Sequence, residues 1–179
     1  FYPRASESMA LIISAIEKLI AKGAAYVGSD GNVYFDSASF PSYGAISGNK
    51  LDELQPGHRY DYTGDGGKRF HADWALWKVA RDRTDMVWPS PWGVGFPGWH
   101  IECSAMACQM LGNTFDIHGG GADLQFPHHE NEIAQSEGAL YGKDRKEDDA
   151  PFVNYWMHNG HIRVNEEKMS KSLGNFFLI

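Results

Sequence analysis

The chain has 179 residues and a formal net charge of −7 at pH 7. Hydrophobic residues make up 42% and aromatic residues 13%, so a packed core can form and global disorder is excluded. Sixteen Lys and Arg residues against 23 Asp and Glu exclude a basic protein that coats nucleic acid, although a local basic patch stays compatible with this balance. The apolar run 9–16 is far shorter than the roughly 20 residues of a membrane span, so no membrane association is expected.

Both ends of the sequence are typical of a piece of a longer protein. The chain starts at Phe1 instead of Met and stops at the apolar Ile179. Its two cysteines, Cys103 and Cys108, are five residues apart and poorly placed to pair, so no disulfide framework is expected. A reducing cytoplasm is therefore the expected location.

The first third of the sequence predicts a helix followed by a hairpin. Apolar residues recur at helical spacing over 9–20, and Gly23 is a natural stop. Two short apolar runs, 25–27 and 33–35, flank Asp30-Gly31, which is a strong hairpin signal. From about residue 41 to 67 the composition shifts to Gly, Ser, Asp and Pro, which predicts a loop-rich insertion.

The second half predicts a parallel α/β sheet. A helix is expected over about 98–111, then a buried strand over 114–118 that leaves through a sharp turn at Gly119-Gly120-Gly121. A second helix begins at Pro127, and a second strand covers 153–157. Strand, glycine turn, helix, strand is the rhythm of such a sheet. The mixed-charge segment 143–149 is interpreted as a surface loop that serves only solubility.

Three side chains form a candidate zinc site. His128 and Glu132 are four residues apart on the predicted helix, so an imidazole and a carboxylate face the same way. Cys103, on the preceding helix, could reach them across the carboxyl end of the sheet. Alone, a His–Glu pair is more often a surface contact and a cytoplasmic cysteine a core residue. Together they are plausible Zn²⁺ ligands that leave one coordination position open.

The segment Lys168-Met169-Ser170-Lys171-Ser172 is the most informative motif. Two ammonium groups three residues apart on a polar loop can close over a polyphosphate as charge builds in a transition state. The alternative is a solvated basic loop without a role.

This segment reads KMSKS, a signature of the class I aminoacyl-tRNA synthetases. Three further stretches, 97–106, 116–121 and 126–132, narrow the resemblance to the cysteinyl-tRNA synthetase family, and it covers nearly the whole chain. A fourth string, His158-Asn159-Gly160-His161, mimics the family's HIGH signature but lies just before the lysines instead of near the family's N-terminus. It is interpreted as a chance match.

The resemblance implies a role for each matching residue. Cys103, His128 and Glu132 match three of four zinc ligands, and the fourth ligand lies outside this fragment. In the family the metal binds the thiolate of substrate cysteine, which a serine hydroxyl cannot imitate. The remaining matches are an aromatic of the amino-acid pocket, a substrate-binding histidine, an ATP-binding glycine loop with its ribose carboxylate, and two lysines that stabilise pyrophosphate: Trp99, His118, Gly119, Gly120, Gly121, Asp123, Lys168 and Lys171.

The resemblance also implies a domain plan and a reaction. Residues 1–23 would end a first Rossmann half, 24–95 would form an inserted connective domain, 96–164 the second Rossmann half, and 165–179 the KMSKS loop. The intact enzyme, expected to be a monomer, would activate cysteine with ATP and Mg²⁺ and transfer it to tRNA(Cys). These 179 residues, an internal fragment of the catalytic region, are expected to be inactive alone.

Three other functions stay open at this point. A cysteine ligase of the mycothiol pathway shares the activation chemistry. A zinc-binding module without catalysis would hold metal and ignore nucleotide. A metallohydrolase would need a zinc-bound water, and no residue is placed by the sequence to act as its base.

Overall fold

The first helix and the hairpin form as expected. The computed structural model describes residues 1–54 and 66–177. Helix α1 spans Met9–Ala21 and ends before Gly23, which adopts a φ of +73° that glycine tolerates. It buries the four side chains that share one helical face, Met9, Ile12, Ile16 and Leu19.

The predicted hairpin is part of a four-stranded antiparallel sheet. Its order is β1-β2-β3-β4, and neighbours in this order pair throughout. The strands are β1 Ala25–Val27, β2 Val33–Phe35, β3 Trp74–Val79 and β4 Gly95–Pro97. Residues 55–65 of the predicted loop-rich segment lie outside the described part of the chain.

A strand–helix–strand unit follows helix α2, which spans Trp99–Leu111. Strands β5 (Phe115–Gly121) and β6 (Val153–Asn159) are parallel, and helix α3 (Glu130–Tyr141) connects them. A parallel pair needs such a crossover, which explains the rhythm of the sequence. A kinked segment, Gln125–His129, leads into α3; Phe126 has extended backbone there, and the peptide Phe126–Pro127 is cis.

The glycine run does not turn as the sequence predicts. Gly119, Gly120 and Gly121 continue β5 and pair with Met157, His158 and Asn159 of β6. The reason is that each glycine can adopt extended geometry while the neighbouring strand supplies hydrogen bonds to its backbone.

The expectation that this strand is buried is also wrong. Ile117 on β5 and Tyr155 and Met157 on β6 are 60–70% exposed. Side chains alternate between the faces of a strand, and within the described residues only one face of this two-stranded sheet is covered.

The lysine motif belongs to a small hairpin. Strands β7 (Arg163–Val164) and β8 (Glu167–Lys168) pair antiparallel, and a turn over 171–174 follows. The last two residues of the predicted segment 165–179 lie outside the described part. Five short 3₁₀ turns complete the described chain: Ala5–Glu7, Ser37–Ser39, Leu51–Glu53, Ala122–Leu124 and Gly142–Asp144.

One hydrophobic cluster links the helices and both main sheets. It joins Ile16 of α1, Trp77 of β3, Ile101 of α2, Ala134 of α3 and Val153 of β6. The cluster therefore crosses the expected boundaries between residues 1–23, 24–95 and 96–164, and that division stays a prediction. None of the described helices has the length and apolar character needed to cross a bilayer.

The segment 143–149 does more than expected from its charge. Arg145 forms an ion pair and hydrogen bond with Glu137, a buried residue of α3. The other carboxylate oxygen of Glu137 accepts the backbone N–H of Phe152 at 3.0 Å. The pair thus joins this loop, α3 and the start of β6, because Glu137 needs partners inside the protein.

Candidate metal and nucleotide site

The structure brings Cys103, His128 and Glu132 together. Their candidate ligand atoms, one sulfur, one imidazole nitrogen and one carboxylate oxygen, lie within 4.8 Å of one another. Nε2 of His128 is 3.0 Å from Oε1 of Glu132. Helices α2 and α3 pack side by side, so Cys103 on α2 faces the start of α3.

The Glu132 carboxylate suits a cation. The residue is wholly buried; Oε1 lies within 3.5 Å of Nε2 of both His128 and His118, and Oε2 has no hydrogen-bond partner among the described residues. A buried ionised carboxylate needs compensation, and a bound divalent ion would add to what the two imidazoles provide. Thiolate, imidazole and carboxylate together are a donor set that Zn²⁺ accepts, so the residues present fit this metal.

The protonation states indicate what metal binding must change. Burial, followed by the charges of Glu132 and Glu102, raises the pKa of the Cys103 thiol to about 12. Burial also opposes ionisation of Glu132, but the facing imidazoles of His118 and His128 outweigh it and hold the pKa of this carboxyl below its usual value. The thiol must therefore lose a proton when it binds a metal, whereas the carboxylate is already ionised.

A second imidazole approaches the same carboxylate. Nε2 of His118 lies 3.5 Å from Oε1 of Glu132. His118, His129 and Glu132 form another group whose ligand atoms lie within 4.8 Å of one another. Because Glu132 is common to both groups, they form one cluster of polar side chains at the carboxyl end of β5.

Two histidines of this cluster were missed by the sequence reasoning. Burial lowers the pKa of His129 to about 4, and its Nδ1 lies 2.8 Å from Nε2 of His158. The pair of adjacent histidines at 128–129 was a signal, since both precede the first turn of α3. His158, interpreted from the sequence as part of a chance match, is thereby brought to the cluster.

The first turn of α2 also contacts His128. The Trp99 ring is 58% exposed, and its centroid is 4.3 Å from that of His128. Nδ1 of His100 is 2.8 Å from Nδ1 of His128. Burial lowers the pKa of His100 to about 4, so its ring is neutral. The sequence reasoning missed His100, although it stands three residues before Cys103 on the same helix.

The glycine-rich end of β5 runs beside these imidazoles. A Cβ on Gly120 would lie 2.8 Å from Cε1 of His129, so the close approach of the strand and the ring requires glycine. Asp123 lies exposed in the 3₁₀ turn that follows. Ligands of parallel α/β sheets bind outside the carboxyl ends of the strands, which is where Gly121 and Asp123 stand.

The two motif lysines stand apart from these residues in the β7–β8 hairpin and its turn. Lys168 and Lys171 are exposed, and neither forms an ion pair within the described residues. Asn175 stabilises the turn through two hydrogen bonds. Its Oδ1 accepts the N–H of Ser170 at 2.8 Å, and its side-chain amide donates to the Lys168 carbonyl at 3.2 Å. Both ammonium groups are therefore available to an anion.

Together, the parallel strands and the cluster at their carboxyl end define an α/β protein with a candidate metal centre. Comparison with known proteins gives the family. The profile described as the class I (C) tRNA synthetase catalytic domain matches residues 1–179. The chain belongs to this family, and the α/β class expected from the sequence is confirmed.

Curated relatives carry the name cysteine–tRNA ligase. One from Polynucleobacter necessarius is 66% identical over 179 residues, 99% of this chain and 37% of the relative. One from Polynucleobacter asymbioticus is 64% identical with the same coverage, and one from Alkalilimnicola ehrlichii is 58% identical over 177 residues, 99% of this chain and 36% of the relative. The chain thus spans little more than a third of the length of the relatives it matches.

Proposed function

We propose that this chain carries part of the cysteine-activating site of a cysteine–tRNA ligase. In the proposed reaction the cysteine carboxylate attacks the α-phosphate of ATP, which forms cysteinyl-adenylate and releases pyrophosphate. The cysteinyl group then passes from the adenylate to tRNA(Cys), and AMP leaves. The observation that carries the proposal is the convergence of a thiol, an imidazole and a buried carboxylate, whose ligand atoms lie within 4.8 Å of one another.

Cys103, His128 and Glu132 would hold Zn²⁺ in this site. The metal, when bound, supplies a soft Lewis acid that prefers a thiolate to a hydroxyl and so distinguishes cysteine from serine. Cys108 is unsuited to be the fourth ligand, because it faces α1 and Ser136 instead of the cluster. This supports a fourth ligand outside these residues.

The neighbouring residues would position the amino acid. The Trp99 ring packs at a tilt of 37° against the His128 ring, and the residue is more than half exposed, so it can line the pocket for the cysteine side chain. His118 contacts Glu132 and lies on β5 beside the glycines, where it can bind substrate and support the carboxylate at the same time.

ATP, with Mg²⁺, would bind across the end of β5. Gly119, Gly120 and Gly121 carry no side chains that would keep a nucleotide away from the strand, and Asp123 offers an exposed carboxylate for ribose hydroxyls. Lys168 and Lys171 would stabilise the charge of the leaving pyrophosphate, a role supported by their exposure and by the lack of an ion pair to either within the described residues.

The predicted domain plan remains part of the proposal. The sheet β1–β4 falls almost entirely within the proposed connective domain 24–95, and the unit β5–α3–β6 lies within the proposed second Rossmann half 96–164. The two free cysteines fit a cytoplasmic location.

Cobalt provides the sharpest test of the metal and the substrate together. We expect the full chain loaded with Co²⁺ to show a thiolate-to-cobalt charge-transfer band, and the band should grow when cysteine is added but not when serine is added. Cys103→Ser should lose the band. Cys108→Ser, a change on the same helix, is the matched control and should keep it.

Activity with ATP distinguishes a ligase from a zinc-binding module without catalysis. In the polypeptide that contains this chain, cysteine-dependent exchange of pyrophosphate into ATP is the expected activity, and Lys171→Ala should reduce its rate. Metal binding that responds to neither cysteine nor ATP would overturn the proposed function in favour of a structural zinc site.

A further inference from the structure

The His128 ring is held by two consecutive residues of α2 that the proposed function does not need as ligands. Trp99 covers one side of the ring at a centroid distance of 4.3 Å. His100 approaches its edge, with 2.8 Å between the two Nδ1 atoms. His128 itself is only 4% exposed.

The two nitrogens of His128 therefore face different partners. Nε2 points to Glu132 Oε1 at 3.0 Å, on the side of the candidate metal ligands, and Nδ1 points to His100. A histidine that binds a metal through one nitrogen normally carries a proton on the other and donates it to an acceptor. That hydrogen bond fixes the tautomer and the plane of the ring.

We propose that His100 is a positioning residue that orients His128 for metal binding by accepting its Nδ1 proton. The inference rests on the proposed function, because it assumes that His128 binds the metal through Nε2. His100 then carries its own proton on Nε2, and its Nδ1 lone pair is the acceptor.

The arrangement of α2 supports this role. His100 and Cys103 are three residues apart on one helix and so lie on the same face. One turn of α2 thereby carries both the candidate ligand Cys103 and His100, which orients the second candidate ligand, His128. This couples the position of His128 to that of Cys103 without a direct bond between them.

Two substitutions distinguish the hydrogen bond from simple packing. His100→Phe keeps a flat ring of similar size but removes the acceptor. His100→Asn places an amide oxygen close to where Nδ1 stands and keeps the acceptor. His161→Phe, which changes an exposed histidine, is the matched control.

Zinc affinity of the full chain, measured by competition with a chromophoric chelator, is the first readout. We expect His100→Phe to weaken binding about 10- to 100-fold, the usual effect of losing a partner behind a metal ligand. His100→Asn should restore most of the affinity, and His161→Phe should leave it unchanged. Urea unfolding of the metal-free variants checks that each one folds.

The spectroscopic readout is independent of affinity. At saturating metal, the Co²⁺ ligand-field spectrum should change in His100→Phe and return in His100→Asn. In the zinc-loaded wild-type chain, nitrogen NMR should find the His128 proton on Nδ1.

Each alternative result overturns the inference. Equal affinity and an unchanged cobalt spectrum in His100→Phe would show that His100 has no positioning role, while leaving the proposed function intact. Equal losses in His100→Phe and His100→Asn would assign the effect to packing. A wild-type chain that binds no zinc would overturn the proposed metal site and this inference together.

Discussion

Two buried carboxylates, Asp73 and Glu132, show how differently the two halves of the molecule treat the same chemical group. Asp73, 2% exposed, lies just before β3 and accepts hydrogen bonds from the Tyr26 hydroxyl, the N–H and hydroxyl of Ser37 and the N–H of Phe70, at 2.5–3.1 Å. Glu132 is equally buried, yet its Oε1 faces only the imidazoles of His128 and His118, and its Oε2 has no hydrogen-bond partner among the described residues. The Asp73 carboxylate is satisfied by its own fold, whereas the Glu132 carboxylate keeps one oxygen without a partner, which suits a bound ligand.

The largest expected effect on stability comes from removing the Asp73 carboxylate. Asp73→Ala should lower the free energy of unfolding by at least about 3 kcal/mol, because it leaves several buried donors without an acceptor. Urea denaturation measures the change. Asp82→Ala, an exposed aspartate near the same sheet, is the control and should stay within about 0.5 kcal/mol of the wild type. Similar values for the two variants would contradict the comparison.

The next effect tests whether a cation binds at the Glu132 carboxylate and stabilises the fold. Zn²⁺ at about 100 times its dissociation constant should raise the free energy of unfolding by about 2.7 kcal/mol, and a chelator should reverse this. Thermal melts with and without metal measure it. Cys103→Ser should lose the stabilisation and Cys108→Ser should keep it. If Zn²⁺ stabilised both variants equally, the ligand set would be wrong.

A smaller effect concerns the strand that runs beside the cluster. Gly120→Ala should lower the free energy of unfolding by about 1–3 kcal/mol, because the new Cβ meets both His129 and Leu124 at under 3.0 Å. Gly119→Ala is the matched control, since its Cβ would find Met157 at an ordinary 3.6 Å. Chemical denaturation of the two variants gives the comparison, and equal stability would show that the His129 ring moves aside freely.

The smallest effect is a pH dependence of the free energy of unfolding, caused by Tyr34 of strand β2. Burial, followed by the hydrogen bond to Asp30, raises the pKa of Tyr34 from 10.0 to about 12. Between these values the unfolded chain loses a proton that the folded chain keeps. The stability is therefore fully present below pH 10 and falls as the pH rises towards 12.

Tyr34→Phe should make this alkaline decline shallower and lower the free energy of unfolding at neutral pH by about 1 kcal/mol, through the lost hydrogen bonds. Unfolding curves at several pH values measure both changes. Tyr2→Phe, at a wholly exposed position, is the control. An unaltered slope in Tyr34→Phe would show that other groups cause the decline.

The features that could be predicted from the sequence are those with local causes. The structures of helix α1 and of the Asp30-Gly31 turn are determined by residues only a few positions apart in the sequence. The four-residue spacing of His128 and Glu132 likewise fixes their common direction, and the structure brings Cys103 to them.

The features that escaped prediction depend on partners distant in the sequence. Three consecutive glycines are typical of a turn, and only the pairing with β6 keeps Gly119–Gly121 extended. The exposure of Ile117 follows from which sheet face the helices cover, and the contact of His100 with His128 joins residues 28 apart. No local pattern encodes such relations.

The Glu137–Arg145 pair links one surface loop to helix α3 and to the start of strand β6. Since Glu137 also receives the N–H of Phe152, the loop that ends at that residue is anchored to the middle of α3 just before β6 starts. Strand β6 carries His158, which contacts His129 of the cluster, and the lysine hairpin follows it along the chain. Arg145, in a segment that looks dispensable, thus helps to hold the start of the strand that carries His158 and leads to the hairpin with Lys168.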